Sequence, residues 1–307
     1  MNIAIIGGGA AGYFAAIEAK RNCPSADITI FEKASKMLAK VEITGGGRCN
    51  LTNSFRQISD VKHAYPRGHK LMKRLFKRFD HRSAYEWFER EGVGLTTQDD
   101  ECVFPQSQDS HSIIDCLMGL ATRLGVKQKT RHCLNSITRN DDGTLHLCFA
   151  NGMERDFDRV AITTGGSPKG EGLKMHALLG HEIEQPVPSL FTFNIPTRLW
   201  HYIIRRTGHT AEHRWGELGK KSLNRIIETL TNDIYQIEGR GKVRDEFVTC
   251  GGVSLASIDL HTLESKVCKG LFFAGEVLDV DAITGGFNLQ AAWTMGHVVG
   301  KELGIRS

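Results

Sequence analysis

The fold of this chain is decided by its opening stretch, Asn2-Ile3-Ala4-Ile5-Ile6-Gly7-Gly8-Gly9-Ala10-Ala11-Gly12. An apolar strand pattern runs into three glycines and then into an alanine-rich segment that predicts a helix. A second strand pattern, Ile28–Phe31, ends at the acidic Glu32, roughly 20 residues after the glycines, as a dinucleotide-binding β–α–β unit requires. The stretch therefore predicts an α/β, Rossmann-like domain built on a parallel sheet.

Each glycine of this stretch has a physical role. Gly7 permits the tight turn out of the strand, Gly9 lets the backbone approach a pyrophosphate, and Gly12 lets the helix pack against the strand. The helix begins at Ala10 and Ala11, where unpaired N–H groups and the positive end of the helix dipole favour phosphate. These residues predict the pyrophosphate side of a cofactor site.

Glu32 is placed to accept hydrogen bonds from the adenosine ribose, and Lys33 follows it at the same strand end. A second glycine-rich region lies far along the chain, where the strand pattern Leu271–Ala274 is followed by Gly275 and by the segment Ala282–Gln290. We interpret the two regions as halves of one FAD site.

Composition sets limits on location and class. The chain has 307 residues and a net charge of +4, which allows one large domain or two smaller ones. Its eight cysteines are scattered without a C-x-x-C pair, which favours a reducing cytoplasm and argues against a disulfide framework, a zinc site or a flavin disulfide reductase. The opening residues lack a basic signal-peptide region, and no apolar run is long enough to span a bilayer, so we predict no membrane association.

Further strands and helices are predicted along the chain. Helices are expected at about Gly68–Glu91, Ser112–Leu124 and Asn288–Leu303. Four short strand patterns predict a small antiparallel sheet laid on the parallel one: Val126–Lys129, Leu134–Thr138, Leu145–Phe149 and Met153–Phe157. The buried pattern after Val160 ends at Thr164, Gly165 and Gly166, so the backbone approaches the cofactor there too.

Several stretches together resemble the YhiN/BaiN-like flavoproteins, also known as aminoacetone oxidase family FAD-binding enzymes. The matching stretches are GGGAAG (7–12), ITGGGRCNLTN (43–53), VFPQS (103–107), ITTGG (162–166), PSL (188–190), VTCGGVSLASIDLHTLESK (248–266) and GLFFAGEVLDVDAITGGFNLQAAW (270–293). The resemblance implies FAD held in a two-dinucleotide-binding-domain type of fold.

The resemblance also extends the predicted cofactor site. Related flavoproteins place an acid against the ribityl or pyrophosphate part of FAD at the position of Glu276, next to Gly275, and Asp279 could stabilise that loop. The last helix can direct its dipole at the flavin. The residues at its start and in the GGGRCN motif complete the set: Gly285, Gly286, Asn288, Leu289, Gly46, Gly47, Arg48, Cys49 and Asn50. For Asn288 the structural alternative is a plain helix N-cap, and the two roles can hold together.

The catalytic residues are unknown from sequence. Arg48 and Cys49 are weak candidates, because Arg48 could lower the pKa of the thiol, but no His or second Cys is adjacent. A buried structural Cys49 is the favoured interpretation. His209 and His213 lack the context of a metal motif, so no metal site is predicted.

The middle of the chain is short for this family. Relatives usually carry an inserted domain on the order of a hundred residues there, a domain-sized length. We expect a discontinuous FAD-binding domain, 1–190 and 247–307, and a shortened insert, 191–246. This insert should pack as one or two helices and a strand against the FAD domain and leave the flavin ring more open.

The basic stretch Arg67–Arg82 has two interpretations. It is either a solvated helix face, which we favour, or a contact for RNA phosphates. Some members of the family are linked to reduction of uracil in ribosomal RNA.

The predicted function is that of an FAD-dependent oxidoreductase that transfers hydride through flavin N5. Only one dinucleotide motif is present, so NAD(P)H would bind transiently as reductant, or the enzyme works as an oxidase. The substrate stays open among a small amine, an unsaturated small molecule and an RNA uracil. The alternative is an FAD-binding or RNA-binding protein without turnover in this shortened form.

Overall fold

A computed structural model describes residues 1–167, 169–188, 197–209, 219–231 and 249–305. The chain divides into two compact units, one made of residues 1–189 and 246–307 and the other of residues 190–245.

The strands of the described chain are β1 (Asn2–Ile6), β2 (Asp27–Phe31), β3 (Thr52–Asn53), β4 (Leu95–Thr97), β5 (Cys102–Pro105), β6 (Lys127–Lys129), β7 (Leu134–Arg139), β8 (Leu145–Phe149), β9 (Glu154–Phe157), β10 (Arg159–Ile162), β11 (Ile183–Pro188), β12 (Thr249–Val253) and β13 (Leu271–Phe273). The helices are α1 (Ala10–Asn22), α2 (Ala39–Ile43), α3 (Val61–Ala64), α4 (His69–Leu75), α5 (His81–Arg90), α6 (His111–Arg123), α7 (Lys174–Leu178), α8 (Thr197–Arg206), α9 (Lys220–Thr231) and α10 (Phe287–Leu303).

A five-stranded parallel sheet in the order β13-β10-β1-β2-β6 forms the centre of the larger unit. Strand β1 lies between β10 and β2, with Ile5 paired to Ala161 and to Ile30. Because both neighbours of β1 run parallel to it, their carboxyl ends meet at one edge of the sheet. This confirms the predicted Rossmann-like α/β class.

Strand β6 was assigned wrongly to the antiparallel group. It pairs in parallel with β2, with Ile30 opposite Gln128, and is the edge of the main sheet. The small antiparallel sheet therefore consists of β7, β8 and β9. It forms a third layer on the main sheet, where Phe31 of β2 contacts the rings of Phe149 and Phe157 at centroid distances of 4.7 and 5.8 Å.

Helices α1 and α10 pack closely because α10 presents glycines to α1. A Cβ added at Gly296 would lie 2.7 Å from the carbonyl oxygen of Ala11, and one at Gly300 would lie 2.7 Å from that of Ala15. Side chains at these two positions would force the helices apart. The contact holds the start of α1 beside the C-terminal part of the chain.

The predicted basic helix of residues 68–91 is instead two helices, α4 and α5. The break lies at Asp80, whose carboxylate caps α5 by accepting from the backbone N–H of Ser83 at 2.9 Å. A side-chain N-cap of this kind ends one helical run and begins another. The apolar spacing was right for both helices but carried no information on the turn between them.

Part of the basic stretch binds its own chain. Arg78 donates to the carbonyl oxygen of His261 and to Glu302, both at 2.8 Å, and Arg67 pairs with Asp281 at 3.7 Å. Lys70, Lys73, Lys77 and Arg82 are exposed.

The smaller unit is described at helices α8 and α9. The expected packing of this segment on the FAD domain stays a prediction. His213 lies outside the described residues, so the His209–His213 pair is not placed. In the part of the chain that the structure covers, every helix is too short or too polar to cross a bilayer.

Candidate flavin site

The glycine-rich turn lies at the carboxyl edge of the sheet, between β1 and α1. Gly7 has a φ of +117°, and a Cβ there would lie 2.4 Å from the carbonyl oxygen of Thr163. A Cβ at Gly12 would lie 2.0 Å from the oxygen of Gly7. The two glycines are thus required by the backbone contacts that shape the turn.

Gly9 differs from these two glycines, because no atom lies within 4 Å of a Cβ added there. It is the N-cap of α1 and supplies no side-chain hydrogen bond, so the first N–H groups of the helix are left for a ligand. An open position at a helix N-terminus with unpaired donors is what a pyrophosphate needs. This cradle fits the diphosphate of FAD, with Ala10 and Ala11 at its edge.

Glu32 holds the glycine-rich turn from the end of β2. One carboxylate oxygen accepts from the N–H of Gly8 at 2.8 Å, and the other accepts from that of Ala34 at 2.8 Å. Each carboxylate oxygen has a second lone pair, so these bonds leave capacity for ribose hydroxyls. Lys33 beside it is exposed.

The second predicted half of the site meets the first directly. A Cβ added at Gly275 would lie 3.1 Å from the Cβ of Ala11, and Gly275 has a φ of +83°. Glu276 follows and accepts from Lys40 at 3.1 Å and from the N–H of Gly166 at 3.3 Å. The loops after β13 and β10 are therefore joined beside the start of α1.

The remaining residues predicted on the loop after β10 are Thr164 and Gly165. Thr164 is exposed, and Gly165 has a φ of +77° with Lys40 and Glu276 each 3.7 Å from an added Cβ. Both lie on the loop that Glu276 fixes.

The GGGRCN motif forms a sharp turn of left-handed residues. Gly46 and Gly47 have φ of +70° and +89°, and a Cβ at Gly46 would meet no atom within 4 Å. Arg48 stacks its guanidinium on Phe104 at 4.2 Å and donates to Gln108 at 3.2 Å. Within the described residues Arg48 makes no ion pair.

The structure gives Cys49 the surroundings of a structural residue. Its side chain is fully buried, and its φ is +63°. Burial raises the pKa of the thiol to about 12. A nucleophilic cysteine needs a lowered thiol pKa and access to the substrate. Cys49 has neither, so these surroundings argue against it as a catalytic residue.

The asparagines of the RCNLTN motif bind the turn before the last helix. Asn53 donates its amide to the carbonyl oxygen of Gly285 at 3.2 Å. Asn50, with its amide oriented to satisfy both partners, donates to the carbonyl oxygen of Thr52 at 3.1 Å and accepts from the N–H of Gly286 at 3.2 Å. Two motifs more than 200 positions apart in sequence are thus hydrogen-bonded to each other.

Asn288 is not the N-cap of α10, since the structure places Gly286 there with a φ of +87°. Asn288 instead donates to and accepts from the backbone of Ala282, both at 3.0 Å. This closes the loop that leads into α10. Leu289 is half-buried in the first turn of the helix.

Asp279 is a half-buried acid on the loop after β13. Burial raises the pKa of its carboxyl, and Glu184 and Asp281 raise it further, while Arg67 lowers it. Its Oδ1 is buried without a hydrogen-bond partner among the described residues. An orphaned acceptor of this kind can be satisfied by a bound polar group.

Three residues of the site were missed in the sequence. Thr163 donates its hydroxyl toward the carbonyl oxygens of Ile6 and Gly7 at 3.0 and 2.9 Å, and Lys40 bonds Glu276. Asn53 fixes Gly285. Thr163 carried a signal as a polar residue at the end of a buried strand, and Asn53 carried one as the last residue of the ITGGGRCNLTN stretch.

Comparison with protein families decides the class of the chain. The family described as HI0933-like protein Rossmann domain matches residues 1–302. The chain belongs to this family. Its members are FAD-dependent oxidoreductases, and the glycine cradle at the start of α1 fits that cofactor.

Curated relatives of the chain include two with full-length coverage. The chain is 23% identical to a 3-dehydro-bile acid delta(4,6)-reductase of Clostridium scindens, over 99% of each chain. It is 20% identical to a ribosomal RNA dihydrouridine synthase of Haemophilus influenzae, over 95% of this chain and 96% of that one. The first alignment occupies 411 positions although this chain has 307 residues, so the relative carries sequence that this chain lacks.

Solved flavoprotein structures share the fold. A 3-ketosteroid-delta4-(5alpha)-dehydrogenase from Rhodococcus jostii matches with a TM-score of 0.62 at 13% identity, covering 99% of this chain and 96% of that one. The E. coli quinol fumarate reductase subunit FrdA matches with a TM-score of 0.64 at 16% identity, covering 98% and 69%.

Proposed function

We propose that this chain reduces a carbon–carbon double bond conjugated to a carbonyl group. The flavin chemistry in this proposal is supported by the close approach of Gly275 to Ala11, where a Cβ added at Gly275 would lie 3.1 Å from the Cβ of Ala11. The two glycine-rich regions lie side by side there, as a single cofactor site would require. Bound FAD would supply hydride transfer at its N5 position.

The residues of the chain would position and polarise this site. The N-terminus of α1 and the open Gly9 would hold the diphosphate, and Glu32 would bind the ribose. The N-terminus of α10 begins at Gly286 without a side-chain cap, so its dipole is available to stabilise negative charge on a ligand. Asn50 and Asn53 would fix the direction of that helix end.

The names of two relatives support the substrate class. A delta(4,6)-reductase of a 3-dehydro bile acid and a dihydrouridine synthase both saturate a double bond conjugated to a carbonyl group. Oxidation of a small amine has no such support. We therefore favour an unsaturated carbonyl compound over an amine.

The source of electrons is proposed to be NAD(P)H. Only one glycine-rich dinucleotide motif is present in the sequence, at Gly7–Gly12, and it is assigned to FAD. A nicotinamide would then bind transiently, donate hydride and leave before the acceptor enters. The scattered cysteines of the sequence support a cytoplasmic location, where this reductant is available.

The direct test uses anaerobic protein whose flavin has been reduced. It is mixed separately with a 4-en-3-one steroid, a uracil-containing RNA and the saturated steroid as matched control. We expect the flavin to be reoxidised by an unsaturated acceptor, with a product heavier by two hydrogens, and not by the control. The proposal would be contradicted if no unsaturated acceptor reoxidised the flavin and only added oxygen did. It would also be contradicted if a small amine reduced the oxidised flavin.

RNA is a second candidate substrate, favoured by the exposed Lys70, Lys73 and Lys77 on α4 and the turn after it. Phosphate contacts make binding strongly dependent on salt. Replacing all three lysines by glutamate should abolish binding of a ribosomal RNA fragment at low salt, whereas Lys174→Glu, also an exposed lysine, should not. Equal binding by both variants would contradict an RNA contact at this surface.

A further inference from the structure

The outer face of the small sheet β7–β8–β9 carries four side chains of metal-ligating types. His146 and Cys148 alternate with the buried residues of β8, so both lie on the face away from the core. On the adjacent strand β9, Asp156 pairs with His146 and Glu154 pairs with Cys148. Because cross-strand partners share a face, all four lie together.

Three of these side chains are close enough for one ion. A ring nitrogen of His146, the sulfur of Cys148 and a carboxylate oxygen of Glu154 all lie within 4.8 Å of one another. Zinc bonds of about 2.0–2.3 Å in a tetrahedron bring ligand atoms to roughly 3–4 Å from each other. Glu154 is exposed and the other two are half-buried, so side-chain rotation alone can close the remaining distance.

The fourth side chain orients the histidine. Asp156 Oδ1 lies 2.7 Å from Nδ1 of His146, and Asn140 donates to the same oxygen at 3.1 Å. With Nδ1–H donated to the carboxylate, Nε2 keeps its lone pair, and Nε2 lies 3.6 Å from Glu154 Oε2. A carboxylate on the far nitrogen is the usual partner of a metal-bound histidine.

We propose that His146, Cys148 and Glu154 bind Zn²⁺, with Asp156 as a positioning residue and water as the fourth ligand. Imidazole and thiolate favour zinc over Mg²⁺ or Ca²⁺, which prefer oxygen ligands. The ion would cross-link β8 and β9. Their inner face packs on Phe31 of β2, so the ion would stabilise the layer behind the strand that precedes Glu32.

The test uses the FAD-loaded protein, stripped of metal with a chelator and dialysed against Zn²⁺. Zinc content by elemental mass spectrometry and the melting temperature are measured together. Wild type should bind one zinc per chain and melt at a higher temperature with zinc than without it, since an ion that binds only the folded state stabilises it. His146→Ala and Cys148→Ser should lose both effects.

Two further variants sharpen the result. Cys133→Ser removes an exposed thiol outside the cluster and should bind zinc as wild type does. Asp156→Asn should weaken binding about 10–100-fold without abolishing it, as expected for an orienting carboxylate. FAD content and circular dichroism establish that each variant is folded.

The proposal would be overturned if wild type retained no zinc, or if Cys148→Ser retained it as tightly as wild type. Glu154→Gln covers the case in which His146→Ala or Cys148→Ser fails to fold, because the side chain of Glu154 is exposed. Unchanged zinc affinity in Glu154→Gln would remove the carboxylate from the site.

Discussion

Asn53 donates its side-chain amide to the carbonyl oxygen of Gly285 at 3.2 Å. Its own Oδ1 accepts from the N–H of Phe55 at 2.9 Å, so the amide group is held from both ends. This one residue connects the RCNLTN motif to the turn that begins the last helix. The start of α10 is therefore fixed by a distant part of the chain.

Replacing Asn53 by aspartate should weaken FAD binding. The aspartate keeps the acceptor for Phe55 but loses the donor to Gly285 and sets a negative charge against a carbonyl oxygen. The bond is part-buried, and an acceptor left without its donor there costs on the order of 1 kcal/mol. The measurement is the FAD dissociation constant of the apoprotein.

The control for this change is Asn151→Asp. Asn151 is exposed and accepts from the N–H of Met153 at 3.2 Å in a similar local turn. We expect its FAD affinity to equal that of wild type. If Asn53→Asp also bound FAD with wild-type affinity, the bond to Gly285 would have no role in holding the cofactor.

Replacing Gly300 by alanine should destabilise the fold. The added Cβ would lie 2.7 Å from the carbonyl oxygen of Ala15. Relieving this clash would require a shift of the α1 backbone, which costs free energy. Overpacking of this kind costs about 1–3 kcal/mol. Denaturant unfolding measures the loss.

The matched control is Gly119→Ala on α6, where the added Cβ meets only the flexible end of Arg123 at 3.4 Å. There the better helix propensity of alanine should leave stability unchanged or raise it by up to about 1 kcal/mol. Equal effects at the two positions would mean that α1 and α10 do not pack as closely as described.

The buried His176 should make the protein sensitive to acid. Burial lowers the pKa of His176 from 6.5 to about 4, and both ring nitrogens lack partners among the described residues. The unfolded chain therefore binds a proton at higher pH than the folded one. The contribution of neutral His176 to the free energy of unfolding is fully present above pH 6.5. It is lost as the pH falls toward 4, by up to about 3 kcal/mol.

His176→Phe keeps a ring of similar shape and should flatten this dependence, measured as the free energy of unfolding at several pH values. His63→Gln, at an exposed histidine, should leave the acid sensitivity in place. An unchanged slope in His176→Phe would place the acid-sensitive group elsewhere.

Cys49 should be inert toward alkylating reagents at neutral pH. Its buried thiol has a pKa raised to about 12, whereas Cys133 is exposed. Mass spectrometry after brief iodoacetamide treatment should find Cys133 labelled and Cys49 unlabelled. Cys49→Ala should still permit flavin reduction, and a complete loss of reduction with FAD bound would restore Cys49 as a catalytic residue.

Local signals in the sequence were sufficient for the β–α–β unit. The predictions of β1, α1 and β2 came from the apolar strand patterns, the three glycines and the acidic Glu32. Each of these signals lies within a few residues of the element that it predicts. The second glycine-rich region, Leu271–Gln290, also followed from its strand and glycine pattern, and the family resemblance added the GGGRCN motif and the role of Glu276.

Non-local contacts could not be predicted in the same way. The pairing of β6 with β2, the hydroxyl of Thr163 on the glycine turn and the bond from Asn53 to Gly285 join segments far apart in sequence. The break at Asp80 was missed because apolar spacing continues across it, while the capping side chain decides where the helix starts. Such features depend on tertiary packing and not on periodicity.

The central claim, that the turn at Gly7–Gly12 holds the diphosphate of FAD, is tested by one change. A Cβ at Gly9 meets no atom within 4 Å, so Gly9→Ala should fold as wild type does, with the new methyl group in the space for the ligand. The measurement is FAD affinity of the apoprotein for wild type, Gly9→Ala and the control Gly119→Ala. We predict a loss of at least about tenfold, or 1.4 kcal/mol, in Gly9→Ala alone. Wild-type FAD affinity in Gly9→Ala, or failure of the wild-type apoprotein to bind FAD, would contradict the account.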